Sequence, residues 1–392
     1  MDEQEQPQGG SSDEPQNKTG KFFTVNLSQV DDMVRQGAGA EEVMAYLILA
    51  RGCGKNRSTA YGANSIANRT GLTHYKAEQS LEWLIESGHI LKHEDTEKLI
   101  KIDHILKHEG VERKKRLSRW QLTEPIDGHE LALANALVDG IGRGKDNPPL
   151  TRIYNEVGMG NHCVFPDARL DALMVLLHLY RHHLMADYGG VNPRAGIFRS
   201  WQATENSTGH QVVDVEGTNA ALYEIEGSNS TMYLEFAEEA LSYVTDKDEK
   251  SVRFWDAFHN LEKLGFMYEV TQVWSGDPDK DKKAEPLYTL YIHDRHARES
   301  EPYLSKDIHK AAMRRGAMDN YVEFSHIGLG TERDESASIG SGRFRYIANK
   351  KVGGFPLGIY RLRFRAATKD TAKGILAEKS RVNNWKSILG KL

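Results

Sequence analysis

The sequence predicts an α+β fold in which helix pairs run into β-hairpins. Three observations carry that prediction. Ala77, Leu81, Leu84 and Ile85 repeat at helical spacing, stop at Gly88 and give way to the strand-like His89-Ile90-Leu91. A second apolar helix passes into a strand across SVRFWDAFHNLEKLGFMYEVTQVW (251–274). Near the C-terminus, GRFRYIANKK (342–351) and LGIYRLRFRA (357–366) alternate with the period of two that strands require. At 392 residues the chain is long enough for two or three domains with real cores.

The elements come in order. Residues 1–20 read as a disordered acidic tail: Asp2, Glu3, Glu5, Asp13 and Glu14 face only Lys18, among Pro, Gln, Gly and Ser. EEVMAYLILAR (41–51) is an apolar helix suited to support a helix pair from behind. Ser65–Thr70 is a short helix with Ile66 and Ala67 inward. Gly71 ends it in the left-handed conformation that a sharp turn needs. Leu72 plugs the gap between the two helices. Thr73 is a good N-cap for the next helix, and Gly88 stops that helix. With the apolar stripe turned to the core, His74, Tyr75, Lys76, Gln79 and Ser80 point outward, and Trp83 packs at the rim. HILKHED (89–95) and HILKHEG (104–110) are near-copies, each suited to a wing strand. ERKKRLSRWQL then crowds Arg113, Lys114, Lys115, Arg116 and Arg119 together, as at a basic wing tip.

The helix pair, the Thr-Gly-Leu-Thr turn (Thr70 to Thr73), the Leu81/Leu84 step and the closing Ser-Gly-x-Ile (Ser87 to Ile90) resemble the winged helix-turn-helix superfamily of bacterial, phage and plasmid DNA-binding proteins. The resemblance covers about 100 residues and speaks for one domain, set at 21–125. It implies that the helix after Thr73 enters the major groove of double-stranded DNA. Lys there suits phosphate or guanine, Gln adenine, and Ser or Tyr phosphate.

Residues 126–165 read as a linker. GIGRGKDNPP within it lacks the spacing and the Ser or Thr after Lys145 of a phosphate loop. A second, diverged winged-helix-like domain is expected at 166–300. ARLDALMVLLHLYRHHLM (168–185) is a long apolar helix. The helix of 251–264 turns Trp255, Phe258, Leu261 and Leu264 inward and leaves Arg253, His259 and Asn260 exposed. Gly265, a strand, the loop 275–284 and the returning strand 285–294 complete the element order. His178 and His182 have the i, i+4 spacing that can hold zinc. The stretch lacks the glutamate a zinc protease needs, and ordinary satisfied histidines are expected.

Residues 301–342 form a connecting segment, ending Gly- and Ser-rich. The last part, 343–392, reads as a basic hairpin and a C-terminal helix. Across 341–392, thirteen Lys and Arg oppose only Asp370 and Glu378, although the whole chain carries a formal charge of −5. Charge so segregated points to a polyanion partner. The expected form is a two-stranded ribbon turning at Gly353-Gly354. Arg343 and Arg345 share one face of it, as do Arg361, Arg363 and Arg365. Thr368–Leu389 comes next as a helix broken near Asn383-Asn384.

Composition excludes several classes. No apolar run is long enough to span a membrane, mean hydropathy is −0.58, and no secretory leader is recognisable. Two cysteines give no disulfide framework, which fits a reducing cytoplasm. No catalytic constellation, cofactor motif or metal set can be identified by spacing. The expectation is therefore a cytoplasmic, non-enzymatic α+β protein with tandem winged helix-turn-helix modules, a basic C-terminal β-ribbon and a helix. Its expected role is transcription regulation in a bacterium or mobile genetic element, reading an operator as a homodimer. The alternatives are a DNA replication initiator of plasmid or phage type, and a nucleic-acid enzyme or accessory factor targeted by the winged helix.

Overall fold

β1 (Phe22–Asn26) turns Phe23 and Val25 inward, and Asn26 caps α1 (Leu27–Arg35) by accepting from the Gln29 N–H at 2.8 Å. The computed structural model describes residues 22–54, 57–92, 120–128, 130–140, 148–158, 165–203, 210–314, 341–351 and 353–391. α2 (Ala40–Gly52) is apolar around most of its circumference and buried from Val43 to Ala50, as a central helix must be. Next come β2 (Ser58–Thr59), α3 (Ala63–Thr70), α4 (His74–Glu86), β3 (Ile90–Lys92) and β4 (Trp120–Leu122). The three strands make an antiparallel sheet in the order β2-β4-β3. β5 (Glu130–Ala134) returns to pair with β1, Phe22 opposite Ala134 and Asn26 opposite Glu130. α5 (Asn135–Asp139) and α6 (Pro149–Glu156) complete this region.

α7 (Ala168–His182) is nearly all buried and leads into the short β6 (His183–Leu184), α8 (Met185–Tyr188) and β7 (Gly190–Val191). The remaining strands are β8 (Phe198–Ala203), β9 (His210–Asp214), β10 (Ala220–Met232), β11 (Met267–Trp274), β12 (Pro286–Ile292), β13 (Ser341–Asn349) and β14 (Phe355–Leu362). They form one seven-stranded sheet in the order β12-β11-β14-β8-β10-β13, with β9 also paired to β10. α9 (Leu234–Ala240) and α10 (Lys247–Lys263) lie between β10 and β11. α11 (Arg295–Ser300) and α12 (Ser305–Arg314) come after β12, and α13 (Lys369–Leu389) ends the chain.

One apolar core joins the two regions, containing Val43 and Leu47 of α2, Leu173 and Leu177 of α7, Phe254 of α10 and Tyr360 of β14. A polar contact crosses the same boundary. The buried His178 faces Asp31 of α1 at 3.5 Å and Glu239 of α9 at 3.3 Å, and His182 meets the other oxygen of Glu239 at 3.0 Å. The histidine pair flagged by its spacing thus shares a carboxylate.

The α+β class stands, with three corrections to the arrangement. First, β13 and β14 do not form a ribbon with each other. β13 pairs with β10, while β14 runs between β11 and β8. From Pro356 to Leu362 every residue of β14 is buried, and a strand covered on both faces needs neighbours on both sides. The segments 166–300 and 343–392 therefore build one sheet. Second, the hairpin β11–β12 forms as expected, but β11 is the inner strand of the pair, with β14 on its other side. Third, α13 is unbroken at Asn383-Asn384. Both side chains are exposed, and the inward series Glu378, Val382 and Leu389 continues past them. No helix among the described residues is long and apolar enough to cross a membrane.

Candidate nucleic-acid interface

The tight junction between α3 and α4 is built as its residues dictate. Gly71 takes φ +81°, and a side chain there would press on Thr151 of α6 at 3.1 Å. Thr70 donates to the Ile66 carbonyl and accepts from the Leu72 N–H, which fixes the exit from α3. Leu72 is buried between the helices. Thr73 accepts from the Lys76 N–H at 3.3 Å, starting α4. Thr151 donates to the Arg69 carbonyl at 3.1 Å, so α6 buttresses the turn from outside the pair.

α4 turns Ala77, Leu81 and Leu84 to the core and leaves Thr73, His74, Tyr75 and Gln79 exposed. Tyr75 is 67% exposed. Gln79 donates to the Tyr75 hydroxyl at 2.9 Å, which holds the two side chains together one turn apart. His74 lies 3.5 Å from Glu78. Lys76 is only half exposed. Its ammonium donates to the Tyr154 hydroxyl of α6 at 3.2 Å and to Glu41 of α2 at 3.1 Å. Those hydrogen bonds hold it above the usual lysine range.

Ser80 corrects the sequence reading. It is buried and donates to Glu42 at 3.1 Å. Its spacing three after Ala77 and four before Leu84 puts it inside the apolar stripe, so the sequence does carry the signal. Ile85, assigned to that stripe, is instead 39% exposed at its edge. Trp83 sits at the rim as expected, stacked on His89 with ring centroids 5.8 Å apart.

The basic cluster Arg113, Lys114, Lys115, Arg116 and Arg119 lies outside the described residues, as does the second copy of the HILKHE repeat. β3 and β4 on either side of it pair in register, Ile90 opposite Leu122.

The C-terminal arginines correct the reading more deeply. Arg361 is 1% exposed. Its guanidinium donates to the Gly189 carbonyl, to Glu301 at 2.7 Å and to Thr289 at 2.9 Å, with Glu378 3.7 Å away. Arg365 donates to the other oxygen of Glu301, and Arg363 to Asp294 at 2.6 Å and the Gly265 carbonyl. Arg345 is buried on β13, in register with Glu224. Arg343 lies on the same strand, in register with Glu226. Burial alone would raise the Glu301 carboxyl, but Arg361 and Arg365 overcome it and hold the group down to about 2. Arg361, Arg363 and Arg365 are thus committed to internal carboxylates. A charged group buried without such partners is too costly to persist.

Arg253 behaves alike. Expected on the exposed face of α10, it is buried and donates twice to Asp171, at 2.9 and 2.7 Å, and once to Glu249. His259 is exposed and Asn260 half exposed. The sequence reading gives no role to Asp171, Asp294, Glu301 or Glu378, the carboxylates that hold these arginines. They stand up to 82 residues away in sequence from the arginine they bind, and no local pattern announces them.

Comparison with protein-family models, curated proteins and solved structures finds no match to the chain.

Proposed function

We propose that this protein binds double-stranded DNA through α3 and α4, in the manner of a winged helix-turn-helix module, and acts as a sequence-specific regulator of transcription. The observation that carries the reading is the α3–α4 junction. Two short helices meet through a left-handed Gly71, a buried Leu72 and a capping Thr73, with α2 behind them and a β2-β4-β3 sheet beside them. That arrangement leaves Thr73, His74, Tyr75 and Gln79 exposed at the N-terminal half of α4, the part of the second helix that major-groove readers use. Tyr75 and Gln79, held together, are the residues best able to meet base edges and phosphates. Lys76 contributes if it exchanges Glu41 for a phosphate oxygen.

The test is selection of bound sequences from a pool of random duplexes at moderate salt. An enriched motif with two-fold symmetry is expected for a regulator acting as a homodimer. Enriched direct repeats would favour the replication initiator, and no retention of any duplex would overturn the reading.

A further inference from the structure

We propose that the outer face of α13 is a second nucleic-acid surface, which grips the phosphate backbone of a duplex. The inference rests on the DNA-binding reading above and adds to it the place where backbone affinity resides. With Arg361 buried and the partly exposed Arg363 and Arg365 each paired to a carboxylate, the cationic excess of the C-terminal segment falls on lysines. Lys369, Lys373, Lys379 and Lys391 are all exposed, and none has a carboxylate partner among the described residues.

Their arrangement is not that of scattered surface charge. Positions 369, 373, 376, 380, 384, 387 and 391 recur every three or four residues, so they line one face of the helix and its end. Apart from Leu376 that face carries only Lys, Ser and Asn, and Lys379 flanks it. The exposed Asp370 flanks it on the other side, three residues before Lys373, while Glu378 is buried on the opposite side of the helix, accepting from the Thr289 N–H at 2.9 Å. Twenty-one residues of α-helix span about 31 Å, close to one duplex turn of about 34 Å. Lys, Ser and Asn are side chains that commonly contact phosphate oxygens.

The helix is also fixed in place. Gly374 lies against the backbone of Met185, where a side chain would meet the carbonyl carbon at 2.4 Å. Val382 and Leu389 are buried, and Trp385 packs on Tyr288 at 5.4 Å. Its apolar side is therefore already used. The exposed apolar residues Ala372, Ile375 and Leu376 amount to a single turn, too little for a helix lying in a lipid interface.

The experiment compares the full chain with the variant Lys369→Gln, Lys373→Gln, Lys379→Gln, Lys391→Gln, binding a random-sequence duplex over a range of salt. Thermal melts confirm the fold of each. The variant is expected to bind at least about tenfold more weakly, with a salt slope shallower by about 3 to 4, near 0.9 per lost phosphate contact. An unchanged slope in a variant that still binds overturns this inference and leaves the α4 reading standing. A wild-type chain that binds no duplex overturns both. Binding to phosphatidylserine-containing vesicles but not to duplex also overturns it, in favour of a membrane surface. Tyr75→Ala with Gln79→Ala should keep the slope and lose sequence preference, which separates the two surfaces.

Discussion

Two passages of this chain share one local grammar and end in different structures. In the N-terminal region, α4 stops at Gly88 and runs into β3 and then β4. In the C-terminal region, α10 stops at Gly265 and runs into β11 and then β12. In the first, β4 is central and β3 is an edge strand with only Ile90 of its three residues buried. In the second, β14 joins on the far side of β11, and all eight residues of β11 are buried. The helices diverge accordingly. α4 keeps His74, Tyr75 and Gln79 in the open, while α10 sends Arg253 inward to Asp171. A helix, a glycine and a hairpin do not by themselves decide whether a surface is offered to a partner. What packs on each decides it: β14 covers the far side of β11, and Asp171 of the earlier helix α7 receives Arg253.

The contrast between the two regions is tested most severely by Arg361→Met. It leaves Glu301 and Glu378 short of a buried cation, and we expect about 3–5 kcal/mol lost from unfolding free energy by denaturant titration. Duplex affinity of the folded fraction should not change. A stable variant with weakened DNA binding would return Arg361 to the binding surface.

Acid should separate the regions next. Burial, with Arg365 and Arg361 nearby, holds His183 down to about 3 from an unfolded value near 6.5, and Glu301 is held down to about 2 from near 4.5. Both folded values are depressed. The His183 contribution is therefore whole above pH 6.5 and shrinks as pH falls toward 3, and that of Glu301 shrinks from 4.5 toward 2. Glu262, raised by burial to about 7, and His178, lowered by burial but raised on balance by Asp31 and Glu239, gain stability over the same range. The His183 contribution is therefore read as the difference in denaturant midpoint between the protein and a His183→Asn variant at pH 7, 5 and 4. The protein should lose more than the variant as pH falls. Identical pH dependence in the two would contradict the network.

Gly71→Ala strains a left-handed residue and crowds Thr151, at an expected cost of about 1–2 kcal/mol confined to the N-terminal region. Hydrogen exchange should find the amides of α3 and α4 opened and those of β11 unchanged. The smallest stability effect belongs to Gln79→Ala, within about 0.5 kcal/mol, with about tenfold weaker binding to a selected sequence. Its counterpart Ser80→Ala should cost about 1 kcal/mol through the lost bond to Glu42 and leave sequence preference unaltered. The reverse pattern would exchange their assignments.

What the sequence makes legible is local. Gly71, Leu72 and Thr73 declare their turn because each acts on its own few bonds, and the stripe of Ala77, Leu81 and Leu84 gives the inner face of α4. Ser80 lies in that stripe, but its polarity disguises it as a surface residue. The destination of the arginines is not legible, since strand alternation groups Arg361 with Arg363 but is silent on what covers that face. Nor is the order of the large sheet, where β14 inserts between β8 and β11, both far upstream of it in the chain. For the candidate interface, local pattern names Tyr75 and Gln79. It misses the lysine face of α13, whose meaning emerges only once the neighbouring arginines are seen to be paired with carboxylates.

The pairing of β1 with β5 has a mechanical consequence. Phe22 and Ala134 sit opposite each other at one end of the ladder. Tension between the segment before Phe22 and the chain beyond Ala134 enters at that rung and leaves by it. The rungs would open one after another from Phe22 toward Asn26, each loaded singly. The helix pair would lie outside the line of force until the last of them parted.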